Sequence, residues 1–361
     1  MKIFKPNCKA LLIGSLPISD HEDATRLVLD YTPDIPLWVQ LPAYKEEGMI
    51  YQFIPGMPGV VSDTEKDKVY IQSDGESFDE ELAAFYETYL AITEQNYPIE
   101  ETRFALSHET AKGFFSFMKI IQSLPTPPWA VKGQVTGPIT MGVSLTDQNG
   151  RSIFYDDTLK DIVSKHIALK ARWQVHQLKK LNPSIPPIIF FDEPGIVSFG
   201  SSAYISLSRD DVNTALAECI DAVHAEGGIA GIHICANGDW SLALESNTDI
   251  ISFDAYSYFN QFSLYKELIQ SFISSGRILA WGIVPTGKIE DIEKETTQSL
   301  IKLWDSQMDQ VAALGFSINQ LMSQSLITPS CGTGSLSFDH AMTVLTQTKE
   351  ISEQIRKRIK E

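Results

Sequence analysis

Short, nearly unbroken apolar runs alternate along this chain with longer stretches in which apolar residues recur at helical spacing. The runs at 10–14, 35–41, 130–134, 187–192, 229–235, 250–254, 278–283 and 324–328 are mostly rich in Ile, Leu or Val. Their length and continuity predict strands buried on both faces. In 157–180, Leu159, Ile162, Val163 and Ile167 share one face, with Lys and Gln opposite, which predicts an amphipathic helix. Further helices are predicted at 20–30, 210–225, 263–274, 290–313 and 335–358. Ser19 and Asp20, Ser208 and Asp210, and Ser335 stand where N-caps belong.

Eight strand–helix units imply a parallel sheet of the α/β class. At 361 residues a closed (β/α)8 TIM barrel is the simplest arrangement, with a doubly wound open sheet as the alternative. Residues 1–361 then form a single domain, in which 43–128 is an insertion between strands 2 and 3. The insertion carries Phe53-Ile54-Pro55-Gly56-Met57-Pro58-Gly59, a turn or hairpin tip, and two expected helices at 77–96 and 109–122. It reads as a rim element, either a lid or a structural decoration.

Composition narrows the function classes. With 43% hydrophobic and 10% aromatic residues the chain can bury a large core, which excludes global disorder. A formal net charge of −17 argues against nucleic acid and anionic membrane surfaces as partners. Four cysteines are too few for a disulfide framework. The first residues hold too short an apolar segment for a signal peptide, and no run approaches the ~18 apolar residues of a membrane span. The expected location is cytoplasmic, where free thiols can serve a metal.

In a barrel, chemistry sits where strands end and βα loops begin. Polar residues at those ends are Ser15, Gln40, Gln134, Asp192, His233, Cys235, Asp254, Thr286 and Cys331. His233 and Cys235 are two apart, so one strand end turns both to the same side. Barrel closure brings Cys331, in Pro-Ser-Cys-Gly, toward them. One imidazole and two thiolates suit tetrahedral zinc with a position left open for substrate. Asp254 is the candidate for an exchangeable fourth ligand, or a second-shell partner of His233. Asp192, directly after a buried strand, is placed to hold a substrate ammonium, whereas Glu193 reads as solvated in a turn. Gly14 and Ser15 offer close backbone approach, and the N–H groups of the helix starting near Asp20 offer a place for a carboxylate. Cys8 and Cys219 read as structural, and His166, His176 and His224 as satisfied or solvated helix residues. His108 has no assigned role; His21 and His340 lie near helix starts close to the mouth.

Together these segments resemble the catalytic barrel of the cobalamin-independent methionine synthase family, in a superfamily shared with uroporphyrinogen decarboxylase. The residues that carry the likeness are Ile-Gly-Ser at 13–15, Asp-Glu-Pro at 192–194, His-Ile-Cys at 233–235 and Cys331, with Gly-Pro-Ile-Thr at 137–140 and Trp-Gly-Ile-Val-Pro-Thr at 281–286. The likeness implies Zn2+ on His233, Cys235 and Cys331, with Asp254 where the family has a glutamate. It implies homocysteine held by Gly14, Ser15 and Asp192. There is no room for the family's N-terminal folate-binding barrel. The implied activity is therefore S-methylation of homocysteine to methionine from a methylcorrinoid, protein-bound or free methylcobalamin, with a methylated corrinoid protein as partner. The alternatives are corrinoid-dependent methylation of another thiol such as coenzyme M, or a uroporphyrinogen decarboxylase-like protein.

Overall fold

The computed structural model describes residues 4–63, 68–200 and 207–358. Among the described residues nine strands form: β1 (Lys9–Ala10), β2 (Val60–Asp63), β3 (Lys68–Ile71), β4 (Val131–Thr136), β5 (Pro187–Asp192), β6 (Ile229–Ile234), β7 (Ile250–Phe253), β8 (Ile278–Val284) and β9 (Ser325–Pro329). Seven make one parallel sheet in the order β1-β9-β8-β7-β6-β5-β4. The expected second strand, 35–41, fills the gap between β4 and β1. Leu37 bridges Lys132 and Gln40 bridges Ser15, both in parallel sense, so the sheet closes into the predicted barrel. Pro36 explains why this segment makes isolated bridges rather than a ladder. It accepts from the Lys132 N–H at 2.9 Å but has no N–H of its own to give.

The barrel interior follows from strand parity. Ile188, Phe190, Ile250, Ile278, Ala280, Leu326, Leu11, Ile35 and Ala130 form one buried cluster. Residues two positions further toward the C-terminal ends face the same interior; these are Lys132, Asp192, Ser252 and Thr328. Register pairing of Asp192 with His233 and of His233 with Ser252 puts those three side by side. The larger core lies between the sheet and its helices.

Most expected helices form, with shifted ends. Asp20 caps His21–Tyr31 by accepting from Asp23 N, and Ser208 caps Arg209–Ala225. The last helix, Phe338–Lys357, is capped by Ser337 rather than Ser335. The stretch expected at 290–313 is two helices, Ile289–Lys294 and Thr297–Ala312, because Thr296 and Ser299 form a capping box that starts the second. In the insertion, helices Glu76–Glu94 and Lys112–Gln122 are present. Residues 53–59 make turns; the hairpin is the antiparallel pair β2–β3 that follows. No helix among the described residues is long and apolar enough to cross a membrane.

Candidate metal centre

His233 ends β6 with its ring buried, and Cys235 follows in the loop. Cys331 sits two residues beyond β9. One ligand atom from each of His233, Cys235 and Cys331 lies within 4.8 Å of the other two. Donors held ~2.0–2.3 Å from a tetrahedral zinc stand roughly 3.5–3.8 Å apart, so little adjustment separates the three from a ligand set. His233 Nδ1 is hydrogen-bonded to Ser252 Oγ at 2.9 Å, which fixes the ring plane. Its Nε2 is buried and has no partner.

The two thiols differ in proton affinity. The adjacent Cys331 thiol draws Cys235 well down, against the opposing effect of burial, with His233 also pulling it down. The same proximity, with burial and the Cys235 charge, pushes Cys331 up. Cys8 and Cys219 are fully buried and pushed up by desolvation, and neither approaches the site.

The loop carrying Cys331 is tied to the first strand end. Ser15 O accepts from Thr333 N at 3.0 Å, and Ser15 Oγ accepts from Gly334 N at 3.1 Å. A Cβ on Gly332 would collide with Ser15 Oγ, so only glycine lets the two segments touch. Ser15 therefore acts first on Cys331, through its loop. Gly14 is equally committed: the Gln40 carboxamide stands 2.8 Å from where its Cβ would be. Gly14 and Ser15 still border a small crevice with Cys331, Gly332 and Thr333. The helix start near Asp20 holds no open anion site, because the Asp20 carboxylate already accepts from Asp23 N at 2.8 Å.

Asp192 faces the cluster. Its Oδ1 is buried without a partner, and burial raises its pKa to about 6, opposed by the charges of Lys132 and His233. Lys132 was not singled out by sequence, although a lysine inside an apolar run was the available signal. It is fully buried, donates to Ile13 O and, at 3.1 Å, to Gln134 Oε1, and lies 4.6 Å from the Phe190 ring centre. Burial lowers its pKa to about 8, with Asp192 opposing. Gln134 and Gln40 are bound elsewhere, to Trp38 O and Gln52 Oε1. Thr286 pairs with Ser330 at 2.8 Å.

Two carboxylates depart from expectation. Asp254 is not in the three-residue cluster; its Oδ1 caps helix Ala255–Phe262, accepting from Ser257 N at 2.8 Å. It is raised by burial and lies close enough to feel Cys235 and His233. Glu193 is not solvated. It is fully buried and accepts from Ile139 N, Thr140 N and Thr140 Oγ1 at 2.7–2.9 Å, at the start of helix Pro138–Ser144. Gly137 leaves the space, since a Cβ there would run into the Glu193 carboxyl. Burial still lifts Glu193 to about 7. His21 and His340, near the mouth, bond Glu47 at 2.6 Å and Glu293 at 3.2 Å.

With this geometry in hand, comparison with known proteins gives shape but no family. No sequence-family model and no curated protein matches the chain. Among solved structures it is similar to the catalytic domain of a GH26 endo-β-1,4-mannanase from Bacillus sp. JAMB-750, at 12% identity and TM-score 0.42 over 68% of this chain and 71% of that one. It is similar to PbGH5A, a glycoside hydrolase family 5 enzyme from Prevotella bryantii B14, at 13% identity and TM-score 0.39, covering 72% and 80%. A GH20 module of the pneumococcal exo-β-D-N-acetylglucosaminidase StrH matches at 11% identity and TM-score 0.47, covering 97% and 85%. The likeness is one of α/β barrel fold. The expectation of a homocysteine S-methyltransferase fed by a methylcorrinoid is not borne out: the solved structures named above are glycoside hydrolases, and no family model and no curated protein carries that activity to this chain.

Proposed function

We propose that this chain is an enzyme that holds a soft divalent cation, zinc by its donor set, on His233 Nε2, Cys235 Sγ and Cys331 Sγ. A small protic ligand would complete the donor set of these three residues. The observation that carries this reading is the convergence of the three donors within 4.8 Å around an unpartnered, buried Nε2. Bound there, the cation would lower the pKa of a thiol or water at its open position.

The chain's own residues supply orientation. Ser252 holds the His233 ring so that Nε2 points at the thiols. Ser15 fixes the Cys331 loop. Asp192 Oδ1 is free to accept a hydrogen bond from the ligand, while Lys132 supplies a compensating positive charge behind it.

Zinc titration of the metal-free protein in competition with a chromophoric chelator tests the site. One ion per chain, lost in His233→Ala and Cys331→Ser, is expected. Binding that survives both substitutions, or no binding by the wild type, sinks the reading. Cobalt-loaded protein tests the open position, because its visible spectrum should change when a small thiol is added. A spectrum indifferent to every added ligand would mean a closed, structural centre.

A further inference from the structure

Cys235 and Cys331 are the two partly exposed cysteines of this chain, and they are the two that meet. They come from opposite parts of the barrel, since β6 and β9 are separated by β7 and β8 in the sheet. The loops on which they stand, Cys235-Ala236-Asn237-Gly238 and Cys331-Gly332-Thr333-Gly334, lie outside the strands and contain glycines. A sulfur–sulfur bond of ~2.05 Å requires the two Sγ atoms to close by less than 3 Å, roughly the reach of a side-chain rotation with a small loop shift.

We propose that Cys235 and Cys331 form a reversible disulfide when the cation is absent, making the metal centre a redox-modification site. The proposal takes the metal-binding reading as its starting point, but its chemistry needs only the two thiols. A protein thiolate attacks a small disulfide such as oxidised glutathione; one mixed disulfide forms and one small thiolate leaves. The second protein thiolate then attacks the protein sulfur, forming the Cys235–Cys331 bond and expelling the other small thiolate. The two electrons pass to the small disulfide, and any cation leaves unreduced as a divalent ion. His233 remains with a free Nε2, so reduction restores the whole donor set. Cys8 and Cys219 stay out of the exchange because their sulfurs are fully buried, bonded to Met322 O at 3.3 Å and Ser164 O at 3.5 Å.

The test treats metal-free protein with oxidised glutathione and follows free thiols, mass and the non-reduced peptide map. Free thiols are expected to fall from four to two, with one peptide pair joining Cys235 to Cys331 and no glutathione retained. Cys235→Ser should stop at a glutathione adduct on Cys331. Prior loading with zinc should slow the reaction roughly tenfold or more, because a coordinated thiolate is withdrawn from attack. Stable glutathione adducts on both cysteines of the wild type, or a disulfide involving Cys8 or Cys219, would overturn the proposal. The two readings fail separately. A disulfide that forms in a protein unable to bind zinc removes the metal-binding reading alone, whereas stoichiometric zinc without disulfide formation removes this one alone.

Discussion

The lower and upper halves of the barrel interior are built by the same strands yet obey opposite rules. Below, Ile188, Phe190, Ile250, Ala280 and Leu326 interdigitate as an apolar plug. Each Ile, Leu or Phe side chain among them contributes ~1.5–3 kcal/mol by leaving water. One pleat higher, the barrel presents Lys132, His233, Ser252 and Thr328, all fully or nearly fully buried, with Asp192 partly exposed beside them. Three atoms of this upper layer, Asp192 Oδ1, His233 Nε2 and Thr328 Oγ1, have no hydrogen-bond partner. A folded chain tolerates such groups where they serve a ligand, because each unpartnered polar atom costs about 1–3 kcal/mol. The lower layer holds the barrel closed, and the upper layer draws on that stability.

The sharpest break of this comparison is Phe190→Ala in the plug. It should cost ~3–5 kcal/mol in denaturant unfolding while zinc stoichiometry at low temperature stays at one. Loss of metal binding in a still-folded variant would show that the layers are not separable. Next comes the buried ammonium. Lys132 is lowered in the fold to about 8 from 10.5, so the unfolded chain binds more protons between those values. Its burden on stability is full below about pH 8 and disappears as pH rises toward 10.5. Lys132→Met should therefore flatten the stability–pH curve in that window by roughly 2–4 kcal/mol. An unchanged slope would mean that Lys132 does not titrate there.

Ser252→Ala separates positioning from packing. Zinc affinity should fall by roughly 10–100-fold, with about 1–3 kcal/mol of stability lost because His233 Nδ1 is left without its partner. Equal affinity in the variant would remove Ser252 from the site. The smallest effect is expected from Asp254→Asn, which keeps an N-cap acceptor for Ser257. Stability should shift by only ~0.5 kcal/mol or less and zinc affinity should not move. A large loss of zinc would restore Asp254 as a ligand.

The eight strands were legible because parallel strands buried on both faces leave continuous apolar runs, and even the seam at 35–41 carries that signature. The two-residue spacing marked His233 and Cys235 as neighbours, and they do come together, although Cys235 lies in the loop past β6 rather than on the strand. The roles of carboxylates were not. Asp254 and Glu193 each follow a buried strand, as a ligand or a substrate-holding group would, but both are spent on helix starts. An aspartate before a short helix reads the same whether it caps or coordinates. Nothing local tells Glu193 that its partners are Ile139 and Thr140, more than fifty residues earlier. Lys132 went unremarked because a single charge in an apolar run looks like an edge, when the strand in fact turns it inward. The β2–β3 hairpin was missed because its strands are short and bear no alternation strong enough to stand out.

The pairing of β1 with β9 sets the order in which this protein can be assembled during its own synthesis. Lys9 and Ala10 are made some three hundred residues before their partners Leu326 and Ile327. His233 and Cys235 likewise wait about a hundred residues for Cys331. Until that segment emerges, the nascent chain offers two donors and an open sheet. The donor set is therefore complete only after the Cys331 segment has been made, when the circle of strands can close.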